Sequence, residues 1–472
     1  MRFMDKVNIM ILRCYNRIND PYGGKGIKFM KRPNILFFFS DQQRFDTLGV
    51  NGQLFDMTPN LDELASEGVN FEHAYTPQPV CGPARSCLQS GLFATETRCF
   101  INGISLPEEQ VTIAKLLREV GYETAYIGKW HLASDETHDY QTIAVPKQRR
   151  GGYLDYWMAA DVLEFTSDGY SGFVFDKDGN KVEFEKYRVD AMTDYVIDYL
   201  NHRDQEKPFF LFASYLEPHH QNNHGVFEGP VGSGEKFADF IKPNDLGEGC
   251  GDWETQMPDY LGCCHSLDHN VGRIVEVLKQ QGIYEDTVII YTSDHGCHFK
   301  TMTKYLSPLG IDDYKRSPDE NAIHIPLIIR GPGFLGGKKE EKLVSLIDLP
   351  TTILKLADVE ADFMQGRDLQ TIFTDDEWEN EVYIQISESM VGRVLRTKRY
   401  KYVIHAPQKH PLQDDGSDIY EEGWLYDLEK DPLEQHNLIH DLAYKEIKEA
   451  LHQKIMEHGK RAKEEFRIRV SK

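Results

Sequence analysis

Four short runs of this chain are apolar from end to end and then stop abruptly on polar residues. Ile35-Leu36-Phe37-Phe38-Phe39 gives way to Ser40-Asp41-Gln42, and Thr124-Ala125-Tyr126-Ile127 to Gly128-Lys129-Trp130-His131. Phe209-Phe210-Leu211-Phe212-Ala213 leads to Glu217-Pro218-His219-His220, and Val288-Ile289-Ile290-Tyr291 to Ser293-Asp294-His295-Gly296. A half-exposed strand would alternate apolar and polar residues. Continuous runs of this length fit strands buried on both faces of a parallel sheet. Amphipathic helical spacing separates them, at 61–67, 113–120, 191–200 and 267–280, the last closed by Gly282. Strand and helix alternate, so the pattern predicts an α/β fold: a large doubly wound, mostly parallel sheet flanked by helices. Such sheets bind ligands outside the carboxyl ends of their strands. That rule gathers Asp41, Gln42, Lys129, His131, His219, Asp294 and His295 at one edge.

The texture changes along the chain. Residues 135–189 and 221–258, rich in turn formers, are expected to be surface insertions near that edge, and 349–357 a further helix. From 382, short β-type segments (382–387, 392–397, 400–404 and 424–427) predict a smaller C-terminal antiparallel sheet. A charged helical stretch covers 444–467. The expected organisation is an N-terminal extension (1–30), a catalytic α/β domain (31–375) and a C-terminal α+β subdomain (376–472).

Charge narrows the function classes. The formal net charge of −23 argues against nucleic acid and against an anionic membrane surface as partners. An anionic substrate would have to be drawn in by locally placed cations or a metal. The eight cysteines show no zinc-type spacing and no dense framework, which fits free thiols in a reducing compartment. With no apolar run long enough to span a bilayer and no convincing leader, the expected location is cytoplasmic.

One of those cysteines stands apart. In Val80-Cys81-Gly82-Pro83-Ala84-Arg85, Pro83 is expected to keep Gly82 out of the helical region and to seat Cys81 just outside a helix N-terminus. Unpaired N–H groups there favour a thiolate or an oxyanion. A lone cysteine is equally suited to be a small buried hydrophobe. Asp41, Gln42, Asp294 and His295 could meet on one divalent cation, their oxygen-rich set suiting Ca²⁺, Mg²⁺ or Mn²⁺. An Asp-His pair in Ser-Asp-His-Gly can also be a turn device.

The Cys-x-Pro-x-Arg spacing ending at Gly91 resembles the signature of the sulfatase family, of the formylglycine-dependent type within the alkaline phosphatase superfamily. Asp41-Gln42, Gly128-Lys129-Trp130-His131, His219, Asp294-His295 and Lys315, eleven residues before Pro326, fall where that family carries functional groups. The likeness spans roughly residues 32–440. It implies oxidation of Cys81 to formylglycine by a maturase, a divalent metal (Ca²⁺ first, Mg²⁺ or Mn²⁺ also open) held by Asp41, Gln42, residue 81, Asp294 and His295, and catalytic roles for Arg85, Lys129, His131, His219 and Lys315. It also implies hydrolysis of a small-molecule or oligosaccharide sulfate ester, plausibly on a sugar. Lys300 and Lys304 are lesser lysine candidates, and His298 and Arg150 candidate substrate contacts. The chain departs from many members at Gln42, where they have a second Asp. Related phosphonate and phosphodiester hydrolases share the Asp-Gln and Asp-His pairs, so that activity is the first rival. A non-catalytic binding protein with Cys81 unconverted is the second.

Overall fold

The computed structural model describes residues 32–247, 250–301 and 314–470. The N-terminal extension and Lys304 lie outside them. Five parallel strands form the centre of a ten-stranded sheet: β1 (Asn34–Ser40), β2 (Glu123–Lys129), β3 (Tyr156–Ala160), β4 (Phe209–Ser214) and β5 (Thr287–Ser293), in the spatial order β5-β1-β4-β2-β3. Register aligns their ends. Ser40 lies opposite Ser293, Phe39 and Gly128 both lie opposite Ser214, and Lys129 lies opposite Ala160. The residues that follow β1, β2, β3 and β5 therefore emerge along one line, as the strand-end rule requires.

Each face of β1 feeds a different core. Ile35, Phe37 and Phe39 pack with helices α2 (Cys81–Ser90), α3 (Ile113–Glu119) and α6 (Asp348–Leu356). Leu36 and Phe38 pack with helices α1 (Pro59–Glu67), α4 (Arg188–His202) and α5 (Trp253–Gln280). Aromatic rings carry much of the first core: Phe37, Phe212 and Tyr126 stack in sequence across β1, β4 and β2 at 4.6 and 5.1 Å. Gly128 allows β2 and β4 to close up beside the site. Its φ is +98°, and a Cβ there would lie 1.8 Å from the Ser214 carbonyl oxygen.

Two expectations from the sequence are corrected. Residues 135–189 are not only loops: they contribute β3 and an antiparallel pair, Gly172–Asp176 and Lys181–Phe184, that extends the sheet. The hairpin signal Asp178-Gly179 lies between those two strands, with Gly179 at φ +88°. Helix α5 begins at Trp253, fourteen residues before the expected start, because a proline in its second turn, Pro258, does not break it.

The C-terminal sheet forms as expected from Glu381–Ile386, Gly392–Thr397, Tyr400–His405 and Ile419–Asp427, all antiparallel. The last helix stops at Arg461 rather than 467, and Arg467–Arg469 joins the sheet as a fifth, parallel strand. Val382, Ile384, Ile386, Val394 and Val403 share a core with Tyr75, Ile323 and Leu343, which fastens this sheet beside the site. No described helix is long and apolar enough to cross a membrane.

Candidate active site

Cys81 is the first residue of α2, with Val80 as its extended N-cap, so it lies in the first turn and not outside it as expected. The Ala84 N–H already bonds to the Val80 carbonyl at 2.9 Å. Gly82 has no Cβ to clash with the Pro83 ring, which is why the residue before proline can be helical here. The Gly82 N–H, one of the groups a helix leaves unpaired, donates to Asn102 Oδ1 at 2.9 Å. Arg85, four residues on, shares the Cys81 face of the helix. All ten residues of α2 are buried, and Cys81 is 1 % exposed.

The strand ends deliver the expected groups to Cys81. His295 Nε2 lies 3.3 Å and Asp41 Oδ1 3.6 Å from its Sγ. Lys315 Nζ is 3.1 Å from the same sulfur, 2.9 Å from His219 Nε2 and 3.4 Å from Gln42 Oε1. Gln42 takes a left-handed φ of +68°, and its N–H donates to Asp294 Oδ1 at 3.0 Å. His131, also left-handed at +58°, follows β2 and is among the groups that favour an anion at Cys81. Lys129 Nζ sits between Asp41 Oδ2 at 2.9 Å and Glu164 Oε1 at 3.0 Å. Arg85 spends one terminal nitrogen on Asp41 Oδ2 (3.0 Å) and Asp294 Oδ2 (3.3 Å), and the other on Ser214 Oγ and the Lys129 carbonyl.

Ligand atoms of Asp41, Cys81, Asp294 and His295 all fall within 4.8 Å of one another. Two fully buried carboxylates side by side repel, and the site answers in part with one shared guanidinium. A divalent cation among them would complete that neutralisation, and the Gln42 amide oxygen stands next to the cluster. The donor set therefore fits the expected metal.

Electrostatics are strongly perturbed. Burial and the Cys81 charge push Asp41 up, but Lys129, His219 and Arg85 outweigh them and hold it below the usual carboxylate range. Asp294 goes the other way, raised by burial and by the Asp41 charge. Burial opposes ionisation of Cys81, yet Lys315, Lys129, His295 and the bond from His131 hold its thiol well below its ordinary value. Burial would lower Lys129, but Asp41, Glu164 and Cys81 raise it, keeping it a firm cation. The cluster can thus hold an anionic group at position 81 among fixed positive charges.

Sequence reasoning missed Glu164 and Asp161. Asp161 accepts from the Leu132, Ala133 and Ser134 N–H groups at 3.0, 2.9 and 2.9 Å and fixes the turn carrying His131. Glu164 is 7 % exposed and anchors Lys129. Both follow β3, so the strand-end rule would have found them had 156–160 been read as a strand. The other candidates make different contacts. Arg150 stacks over Trp157 at 5.0 Å and bonds the Val145 and Lys177 carbonyls. Lys300 pairs with Asp252, and His298 meets the Lys315 carbonyl at 3.2 Å.

Comparison with known proteins decides the family. The sulfatase family profile matches residues 33–359, and that of the N-sulphoglucosamine sulphohydrolase C-terminal region matches 312–461. The chain belongs to the sulfatase family. It is 29 % identical to an uncharacterized sulfatase, YidJ, of Escherichia coli over 93 % of this chain and 89 % of that one. It is 26 % identical to an N-acetylglucosamine-6-O-sulfatase of Bacteroides thetaiotaomicron, over 92 % and 87 %. A putative sulfatase yidJ from Bacteroides fragilis superposes with a TM-score of 0.79 at 24 % identity, covering 93 % of this chain and 98 % of its own. This sulfatase is accordingly a sulfuric ester hydrolase, and the thiols of Cys87, Cys99, Cys263, Cys264 and Cys297, buried and free like Cys81, lie in its interior, while that of Cys250 is exposed.

Proposed function

We propose that this sulfatase hydrolyses the sulfate ester of a sugar to the alcohol and inorganic sulfate, with position 81 as the nucleophile after conversion of Cys81 to formylglycine by a maturase. The observation that carries the reading is the position of Cys81, between a pair of buried carboxylates with an imidazole on one side and the Lys315 ammonium, 3.1 Å away, on the other. A sugar substrate is supported by the N-acetylglucosamine-6-O-sulfatase relative.

Asp41, Gln42, Asp294 and His295 would hold the divalent metal, Ca²⁺ in the first place. Bound there, it would neutralise sulfate charge and acidify a hydroxyl at position 81. Lys129 and Lys315 supply fixed positive charge for the outer sulfate oxygens, while Arg85 holds the two ligand carboxylates in place. The Lys315–His219 pair, in contact at 2.9 Å, donates the proton that the departing alcohol requires. His131, following β2 beside position 81, serves in its neutral form as the base for the proton that the second hydroxyl there must lose.

Gln42 favours one other reading, a phosphonate monoester or phosphodiester hydrolase built on the same groups, because an amide there leaves the ligand set with two carboxylates where a second Asp would give three. Parallel assay of matured protein on a sugar sulfate, an aryl sulfate and an aryl phosphonate separates the two. Release of sulfate with the higher kcat/KM supports our reading. A clear preference for the phosphonate overturns it, and a binder with Cys81 intact turns over neither.

A further inference from the structure

The C-terminal sheet reaches into the site through one buried carboxylate. Glu388 follows the strand Glu381–Ile386, is 4 % exposed and takes a left-handed φ of +64°. Its Oε1 accepts the Asn102 N–H at 2.7 Å, and Asn102 Oδ1 in turn accepts the Gly82 N–H in the first turn of α2. Its Oε2 accepts from Arg316 Nε, in a buried ion pair. Arg316 is the neighbour of Lys315. Its own N–H donates to the Pro79 carbonyl at 3.1 Å, and its carbonyl accepts from Ser389 Oγ, next to Glu388.

A single side chain is thus bonded on one side to Asn102, which holds the Gly82 N–H of the Cys81 helix, and on the other to the residue that follows Lys315. Neither bond touches the reacting atoms. The two groups these bonds flank stand 3.1 Å apart, from Lys315 Nζ to Cys81 Sγ. Tyr314 and Arg316, which flank Lys315, sit at φ +65° and +71°, in a region that non-glycine residues rarely adopt. Such a turn keeps its shape only when its surroundings specify it.

The geometry points to Glu388 as a positioning residue for Lys315. Through it the C-terminal subdomain is a working part of the active site and not only a packing partner. The carboxylate is suited to the task because it can accept from an amide and a guanidinium at once, and a neutral amide side chain cannot match its pairing with Arg316.

The inference rests on the role of Lys315 given above, so Lys315→Ala is run beside the test variants. Glu388→Gln preserves the shape and the bond from Asn102 but removes the charge facing Arg316. Arg316→Lys removes the fork from the other side and serves if Glu388→Gln does not fold. Each is matured, its conversion at position 81 measured by mass spectrometry and its cooperative melt checked. Then kcat and KM are measured on 4-nitrophenyl sulfate, whose leaving group needs no proton, and on an alkyl sulfate, whose leaving group does. Misplacing a general acid costs about a hundredfold on the second substrate and much less on the first. Glu388→Gln and Arg316→Lys are expected to show that selective loss, in kcat more than in KM, and to follow the Lys315→Ala pattern. No loss, or any pattern that departs from that of Lys315→Ala, overturns the positioning role. Equal loss in Lys315→Ala itself overturns only the assignment of that lysine as an acid.

Discussion

Replacing Glu164 by Gln tests the electrostatic design of the site at a residue with a calculable contribution. Burial raises Glu164, but Lys129, His219 and His131 outweigh it and bring its pKa from 4.5 to about 2. That shift corresponds to about 3 kcal/mol of folded-state stabilisation at neutral pH, within the range for breaking one side of a buried pair. For a chain of this length it is a fall in Tm of roughly 3 °C. A depressed carboxylate contributes fully above its unfolded pKa and loses its contribution as pH falls through the folded value. The gap between wild type and Glu164→Gln should therefore be full at pH 7, shrink below pH 4.5 and have about halved by pH 3. Lys129 would keep its bond to Asp41 but lose its second charged partner, so kcat/KM should fall about tenfold. Calorimetry across that pH range together with steady-state kinetics at pH 7 reads both. A variant as stable as wild type at pH 7, or a gap that widens with acid, would refute the reasoning.

The remaining predictions concern residues outside the chemistry. His324, stacked on Phe45 at 3.8 Å and on Tyr75 at 4.9 Å, is pushed down to about 4 by burial, so the fold should lose stability as pH drops from 6.5 toward 4. His324→Phe should flatten that loss in melts at pH 7 and pH 5. Arg150→Ala should cost about 2 to 4 kcal/mol in denaturant unfolding, through two lost carbonyl bonds and the stacking on Trp157, with kcat of the folded protein unchanged. Gly128→Ala should prevent β2 from pairing with β4 and leave the protein insoluble on expression, which a solubility assay reads directly.

The parallel centre was legible because its strands are apolar on both faces, as β1 shows by feeding two cores. Asp41, Lys129, His219, Asp294 and His295 were legible for a related reason: each is a polar residue just past a greasy run, where the fold puts ligands. Glu164 and Asp161 were hidden because β3 is only five residues long and lies among turn formers, so nothing marked its end as a sheet edge. Glu388 could not be read at all. Its partners Asn102 and Arg316 lie 286 and 72 residues away in sequence, and only the packing of the second sheet brings them together. The start of α5 was missed for a local reason, since Pro258 and the acidic, glycine-rich residues before it look like a loop.

The proposed chemistry begins at position 81. Protein produced with graded amounts of maturase can be assayed for inorganic sulfate released from a sugar sulfate, while the fraction of Cys81 converted is read by peptide mass spectrometry on the same samples. We predict that sulfate release rises in proportion to conversion and is absent from the thiol form. Release from protein with Cys81 intact, or none from fully converted protein on any ester, would contradict it.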